Sequence, residues 1–238
     1  MLTVRELKEL ELRTLNAIST QGEFGQLYQL LEAVKRAAGT LKTSRGFDVS
    51  LSFTLPTRLR EDSGTGAIER HFHIGGVVLS KGENTPITSL SYSVLIARGG
   101  DASSGIARKF HFDVEAASAR NQAEPKPTHH FQICGKLSQQ HLQEGYTEEQ
   151  LEPLLPAMSK PRVPVPPMSL ALILNWLFLE FGSEHSVVQA LRNTFWQSIV
   201  REAERKVLKP YFEEAAQFFR SATNDSKSFI SNHLYEIR

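Results

Sequence analysis

Three segments of the chain place histidine beside phenylalanine in an alternating pattern that could gather acid–base side chains. They read HFH at 71–73, HFD at 111–113 and HFQ at 130–132. Side chains of a β-strand point alternately to opposite faces, so the polar residues of each segment share one face. If three such strands align, four histidines and one carboxylate lie on one polar surface. The candidate catalytic residues are His71, His73, His111, Asp113 and His130.

Imidazoles that titrate near neutral pH, with a carboxylate to fix their tautomer, are suited to metal-independent cleavage of a phosphodiester. A structural interpretation competes with this one, because polar residues are expected on the solvent face of an antiparallel sheet. Two-histidine phosphoesterases also need a hydroxyl residue two positions after each histidine, and here His, Asp and Gln stand there. A nuclease is therefore the alternative hypothesis. No C-x-x-C or H-E-x-x-H framework is present, so we expect no metal site and no cofactor.

Basic residues flank two of the histidine segments. Arg58 and Arg60 precede the first, and Arg108 and Lys109 precede the second. These four are the candidate contacts to nucleic acid, since cations near a polar surface favour the approach of a polyanion. The formal net charge of +1 provides no global argument for nucleic-acid binding.

The stretch 108–135 also holds the only cysteine, Cys134. A single cysteine excludes an intrachain disulfide framework and fits a reducing compartment. The N-terminus lacks the apolar region of a signal peptide, and the most apolar run, at 168–182, is too short to span a bilayer. We therefore expect a cytoplasmic protein that does not enter a membrane.

The spacing of apolar residues predicts a single α+β domain over 1–238. Helical spacing at 3–20 and 26–38, with Gly39 as the stop, predicts an N-terminal helical pair within 1–40. The hydrophobic fraction of 40% is sufficient for a core.

From residue 47 to 135 the period changes to two, which predicts an antiparallel meander of about five strands. The strands are expected near 48–55, 69–79, 87–98, 106–114 and 128–135, with a bulge at Gly75-Gly76. The proline-rich connector 159–169 is expected to pair along a sheet edge or to pack across the surface.

A helical layer is expected over 146–238 and should cover one face of the sheet. It comprises a short helix from Thr147, a helix at 168–181, a long helix at 185–220 kinked at Pro210, and a short helix at 226–238. The long helix has aromatic residues beyond one stripe, which indicates either a protein partner or homo-oligomer at this helix or, equally, a helix buried on both sides within the fold. The candidate interface residues are Trp196, Phe212 and Phe219.

Three strings resemble an uncharacterised bacterial family: RKFHFDVE, PTHHFQICG and PRVPVPPMSLALILNWLFLEFG, within 106–182. Its members share an arginine–aromatic–acidic strand, an H-x-Q-I-G strand and an R-[IV]-P-x-P element before an apolar helix. Here Cys134 separates the Ile and Gly of the second motif. The resemblance implies a genomic setting beside toxin–antitoxin, mobile-element or phage-defence genes, and it supplies no catalytic residues.

The leading hypothesis is a non-catalytic component of a bacterial defence or toxin–antitoxin-like assembly, binding protein partners and, as a further expectation, nucleic acid. The alternative is the metal-independent nuclease. A third is a small-ligand sensor that uses a cavity between sheet and helices.

Overall fold

The computed structural model describes residues 2–24, 27–44, 46–57, 68–79, 82–98, 106–115, 128–133, 162–182 and 185–221. The predicted short helices from Thr147 and over 226–238, together with Cys134, lie outside these ranges. None of the described helices is long and apolar enough to cross a membrane.

Two helices begin the chain. Helix α1 spans Val4–Thr20, and a capping box formed by Thr3 and Glu6 fixes its start. Helix α2 spans Tyr28–Thr43, so the predicted stop at Gly39 is wrong. The helix continues because Leu41 is fully buried and extends the apolar stripe by one more turn.

Six strands in the described part of the chain form one antiparallel sheet, in which each strand pairs with the next. They are β1 Asp48–Thr57, β2 Ile68–Leu79, β3 Ser89–Arg98, β4 Ile106–Glu115, β5 His129–Ile133 and β6 Arg162–Pro164. The α+β class is confirmed. Six strands are present where about five are predicted, because the proline-rich connector pairs along the sheet edge as β6 beside β5, one of its two expected placements. Prolines are tolerated there because an edge strand has a side without a ladder.

One face of the sheet is apolar, as the alternation predicts. Its buried residues are Val49, Leu51, Phe53, Leu55, Phe72, Ile74, Leu90, Tyr92, Val94, Ile96 and Val114. The predicted bulge at Gly75-Gly76 is wrong, since β2 pairs with both neighbours in continuous register there. Gly76 instead makes room for a ring, because a Cβ at this position would lie 2.5 Å from Cε1 of Tyr92. A register shift occurs between β3 and β4 at Ile96/Ala97.

The C-terminal helices are shorter than predicted. Helix α3 spans Leu170–Phe181 and is capped by Ser169. The predicted long helix is broken once, into α4 His185–Arg192 and an unbroken stretch that comprises α5 Thr194–Ala203, a π-helical turn Glu204–Leu208 and α6 Lys209–Ser221. The break falls at Asn193, whose side chain accepts the N–H of Phe195 and so begins α5 as an N-cap.

The helices bury an aromatic cluster of Phe24, Phe178 and Trp196. The Phe24 ring contacts Phe178 at 5.5 Å and Trp196 at 6.1 Å between centroids. The indole N–H of Trp196 donates to Asn175 at 3.0 Å. This cluster joins the short 3-10 turn Gly22–Phe24, which follows α1, to α3 and α5.

Candidate functional site

The second face of the sheet brings three of the five candidate catalytic residues together. Asp113 on β4 lies opposite His130 on β5 and opposite Ser91 on β3. His130 Nε2 is 3.4 Å from Asp113 Oδ2, and the Ser91 hydroxyl donates to Asp113 Oδ1 at 2.5 Å. His111 occupies the same face two positions earlier on β4. We call Ser91, His111, Asp113 and His130 the β4–β5 cluster.

The cluster holds its carboxylate ionised. Burial alone would raise the pKa of Asp113, but hydrogen bonds from His130 and Ser91 and the nearby histidine charges outweigh burial and lower it. Burial lowers the pKa of His111, and this effect exceeds the attraction of Asp113. Its Nε2 is buried without a hydrogen-bond partner in the described part of the chain. A neutral imidazole beside an ionised carboxylate is able to accept a proton.

Access differs within the cluster, since Ser91, His111 and Asp113 are partly exposed and His130 is buried. The exposed fraction of His130 is 1%, and that of Lys109 on the same face is 2%. A polyanion at the surface does not reach a lysine buried to this degree, so the prediction of Lys109 as a nucleic-acid contact is wrong. Alternation puts Lys109 on the same face of β4 as His111, but it does not predict how deeply that face is buried.

The other two histidines lie elsewhere on the same face. His71 Nε2 is 2.8 Å from the hydroxyl of Ser52, and its Nδ1 is 3.3 Å from the hydroxyl of Thr54. His73 is fully buried on the same strand. Strand β2 is two strand spacings from β4, and His71 and His111 lie opposite residues four positions apart on β3, so their Cα atoms are roughly 16 Å apart. One phosphate therefore does not contact His71 and the β4–β5 cluster together.

The arginine candidates for nucleic-acid contact have no described side chains. Arg58 and Arg60 lie outside the described ranges, and only the backbone of Arg108 is described. Among the described residues, no group of three His, Cys, Asp or Glu side chains is arranged to hold a metal ion.

The three interface candidates differ in solvent exposure. Trp196 is fully buried, so the prediction that a partner contacts it is wrong. Its ring belongs to the cluster with Phe24 and Phe178. Phe212 and Phe219 on α6 are 54% and 64% exposed.

Helix α6 presents these two phenylalanines on one side. They are seven residues apart, or nearly two turns, so they project in similar directions. A shallow groove follows this side of the helix. It is lined by Lys209, Phe212, Glu213, Ala216, Gln217 and Arg220. No residue from 209 to 220 is fully buried, so the helix offers an apolar side with a charged border.

Sequence reasoning missed one buried polar pair, Glu11 and Tyr92. Glu11 is fully buried on α1 and accepts hydrogen bonds from the Tyr92 hydroxyl and from the backbone N–H of Leu170. A signal was available, because Glu11 stands four residues from both Leu7 and Leu15 and thus on the apolar stripe of α1.

Comparison with protein-family models, curated proteins and solved structures finds no significant match to this chain. The function must therefore be argued from the side chains themselves.

Proposed function

We propose that this protein is a non-catalytic interaction component that binds a protein partner through α6. The observation that carries the proposal is the exposure of Phe212 and Phe219 on one side of a helix without a fully buried residue. Two large apolar side chains presented in this way mark interaction surfaces.

Burial of the Phe212–Phe219 side of α6 by a partner would be energetically favourable. Burying one phenylalanine side chain contributes roughly 1.5–3 kcal/mol. The border of Lys209, Glu213 and Arg220 supplies the polar rim that surrounds the apolar centre of many interfaces. A partner helix or groove would take the two rings as neighbouring anchors.

We place the assembly in bacterial defence or a toxin–antitoxin-like system. The support is the resemblance of 106–182 to a family whose genes lie beside such systems. Nucleic acid is a further proposed ligand of the assembly, resting on Arg58, Arg60 and Arg108.

The test is reconstitution with purified components. A tagged full chain is used to recover partners, and each recovered protein is purified and titrated back by calorimetry. Phe212→Ser/Phe219→Ser should abolish binding, whereas Tyr28→Ser should not, because Tyr28 is an equally exposed aromatic on α2. Equal binding by both variants, or a chain that neither self-associates nor binds any recovered protein, overturns the proposal.

One observation favours a second candidate, the metal-independent nuclease. His111 is a half-buried imidazole of lowered pKa beside the ionised Asp113, which suits it to the role of general base. This candidate predicts cleavage of RNA or DNA in the presence of a chelator, with an optimum near neutral pH. His111→Ala should remove the cleavage without unfolding, and His71→Ala should leave it intact. Absence of cleavage by the wild-type chain eliminates this candidate.

A further inference from the structure

An apolar cavity of about 120 Å³ lies on the helix-covered face of the sheet, at the end that faces α6. Leu90, Val114 and His129 line it from three neighbouring strands, and they occupy one row of the register. The other walls come from the N-terminal segment with α1 and from the residues just before β3 and just before α3. The π-helical turn and α6 complete them. These walls are lined by Leu2, Leu7, Ile87, Pro167, Met168, Lys206, Val207, Pro210, Tyr211 and Glu214.

The π-helical turn shapes the cavity wall. The N–H of Lys209 donates to the carbonyl of Glu204, five residues earlier. The following residue is Pro210, which has no N–H and whose ring would clash with the carbonyl of Lys206 in a regular helix. The wider turn removes this conflict. It is also the segment from which Lys206 and Val207 face the cavity, and such turns occur frequently at functional sites.

The polar groups of the cavity are few and mostly donors. Lys206 and Tyr211 donate, and His129 donates through whichever nitrogen carries its proton. Glu214 is the one carboxylate in the lining. The His129 and Tyr211 rings pack edge to face at 5.4 Å, which fixes both.

Lys206 can turn to a ligand at little cost. Its ammonium is 3.2 Å from Glu202, but Glu202 also pairs with Arg13 at 2.7 Å. If Lys206 moves to an anion in the cavity, Glu202 keeps a cation. Partly exposed ion pairs of this kind contribute little, about 0–1 kcal/mol, so the exchange is easy.

We infer that this cavity binds a small apolar carboxylic acid of about the size of benzoate. An apolar cavity of roughly 150 Å³ accepts a benzene ring, and this one is somewhat smaller and open at one side. The ring or branched chain would contact Leu90, Val114 and Val207, and the carboxylate would accept hydrogen bonds from Lys206 and Tyr211. This site is separate from the Phe212–Phe219 side of α6, so it stands independently of the proposed partner.

The test uses the full chain with sodium benzoate, benzyl alcohol and benzylamine as probes. Benzoate should bind most tightly in a calorimetric or NMR titration. Its ring protons should show nuclear Overhauser effects to methyl groups of Leu90, Val114 and Val207. Absence of these effects at saturating benzoate, or tighter binding of benzylamine than of benzoate, overturns the inference.

Two variants separate the apolar and charged parts of the site. Val207→Phe fills the cavity and should remove binding of all three probes. Lys206→Met should weaken benzoate by roughly tenfold, which corresponds to about one charge-assisted hydrogen bond, and leave benzyl alcohol unchanged. Lys35→Met is the matched control, because Lys35 on α2 is an exposed lysine outside the cavity lining. A folded Val207→Phe variant that binds benzoate as the wild type does contradicts the inference.

Discussion

The Tyr92 hydroxyl donates a 2.5 Å hydrogen bond to Oε1 of Glu11 inside the apolar core. The same oxygen accepts the backbone N–H of Leu170 at 3.0 Å, at the start of α3. One carboxylate thus joins α1, β3 and α3. Burial raises the pKa of Glu11 to about 7, although both hydrogen bonds act in the opposite direction.

The raised pKa predicts that stability falls as pH rises. Glu11 titrates at about 7 in the folded protein and near 4.5 when unfolded, so the folded state holds the proton more tightly. Its contribution is complete below pH 4.5 and is lost between there and about pH 7, by an amount on the order of 3 kcal/mol. Glu11→Gln should flatten this part of the profile, measured as the free energy of unfolding in urea from pH 5 to 8. Glu9→Gln, an exposed position on the same helix, should retain the wild-type slope; identical slopes in all three proteins would contradict the assignment.

The contribution of Asp113 to stability should have the opposite pH dependence to that of Glu11. Its folded pKa lies below the ordinary 3.8, so its stabilisation is present above that pH and is lost as pH falls further. Asp113→Ala leaves the Ser91 hydroxyl and His130 without this acceptor and should cost about 1–3 kcal/mol at pH 7. Urea unfolding at pH 7 and pH 3 measures both effects. Asp48→Ala, on the exposed side of β1, is the control and should change little.

Two glycines should respond to alanine with opposite signs. At Gly76 the new methyl group would overlap the Tyr92 ring, which its bond to Glu11 holds in place, so we expect a loss of about 1–3 kcal/mol. At Gly39 nothing lies within 4 Å of an added Cβ, and the residue is inside α2. Gly39→Ala should therefore stabilise the protein by roughly 0.5–1 kcal/mol. Thermal and urea unfolding of the pair give the comparison, and a stabilising Gly76→Ala would disprove the role of the ring.

Alanine substitutions at Trp196 and Phe212, two aromatic positions on the C-terminal helices, should differ clearly in their effect on stability. Trp196→Ala removes a fully buried indole that packs on Phe24 and Phe178, and should cost about 3–5 kcal/mol. Phe212→Ala on exposed α6 should change the free energy of unfolding by no more than about 0.5 kcal/mol. If Phe212→Ala destabilises the isolated chain as strongly as Trp196→Ala, α6 belongs to the core rather than to an interaction surface.

The sequence by itself determined the α+β class and the two faces of each strand. Both follow from the period of apolar residues, which is a local property of the chain. The alternation placed Leu51, Phe53 and Phe72 in the core correctly, and it put His111 and Asp113 on one face of their strand, whereas the register of β4 with β5 decided that His130 shares that face. Alternation could not state how many strands separate His71 from His111, because it carries no information about strand order.

Only the tertiary structure decided which polar residues meet and which are accessible. Glu11 meets Tyr92 across 81 residues of sequence, and Asp113 meets both Ser91 and His130. Leu41 extends α2 past Gly39 because burial of one more turn outweighs the weak helix propensity of glycine. Asn193 divides what the period alone predicts as one helix, and the π-helical turn widens the second part without breaking it. These outcomes depend on contacts between distant segments, and the exposure of a residue depends on all the elements that pack around it.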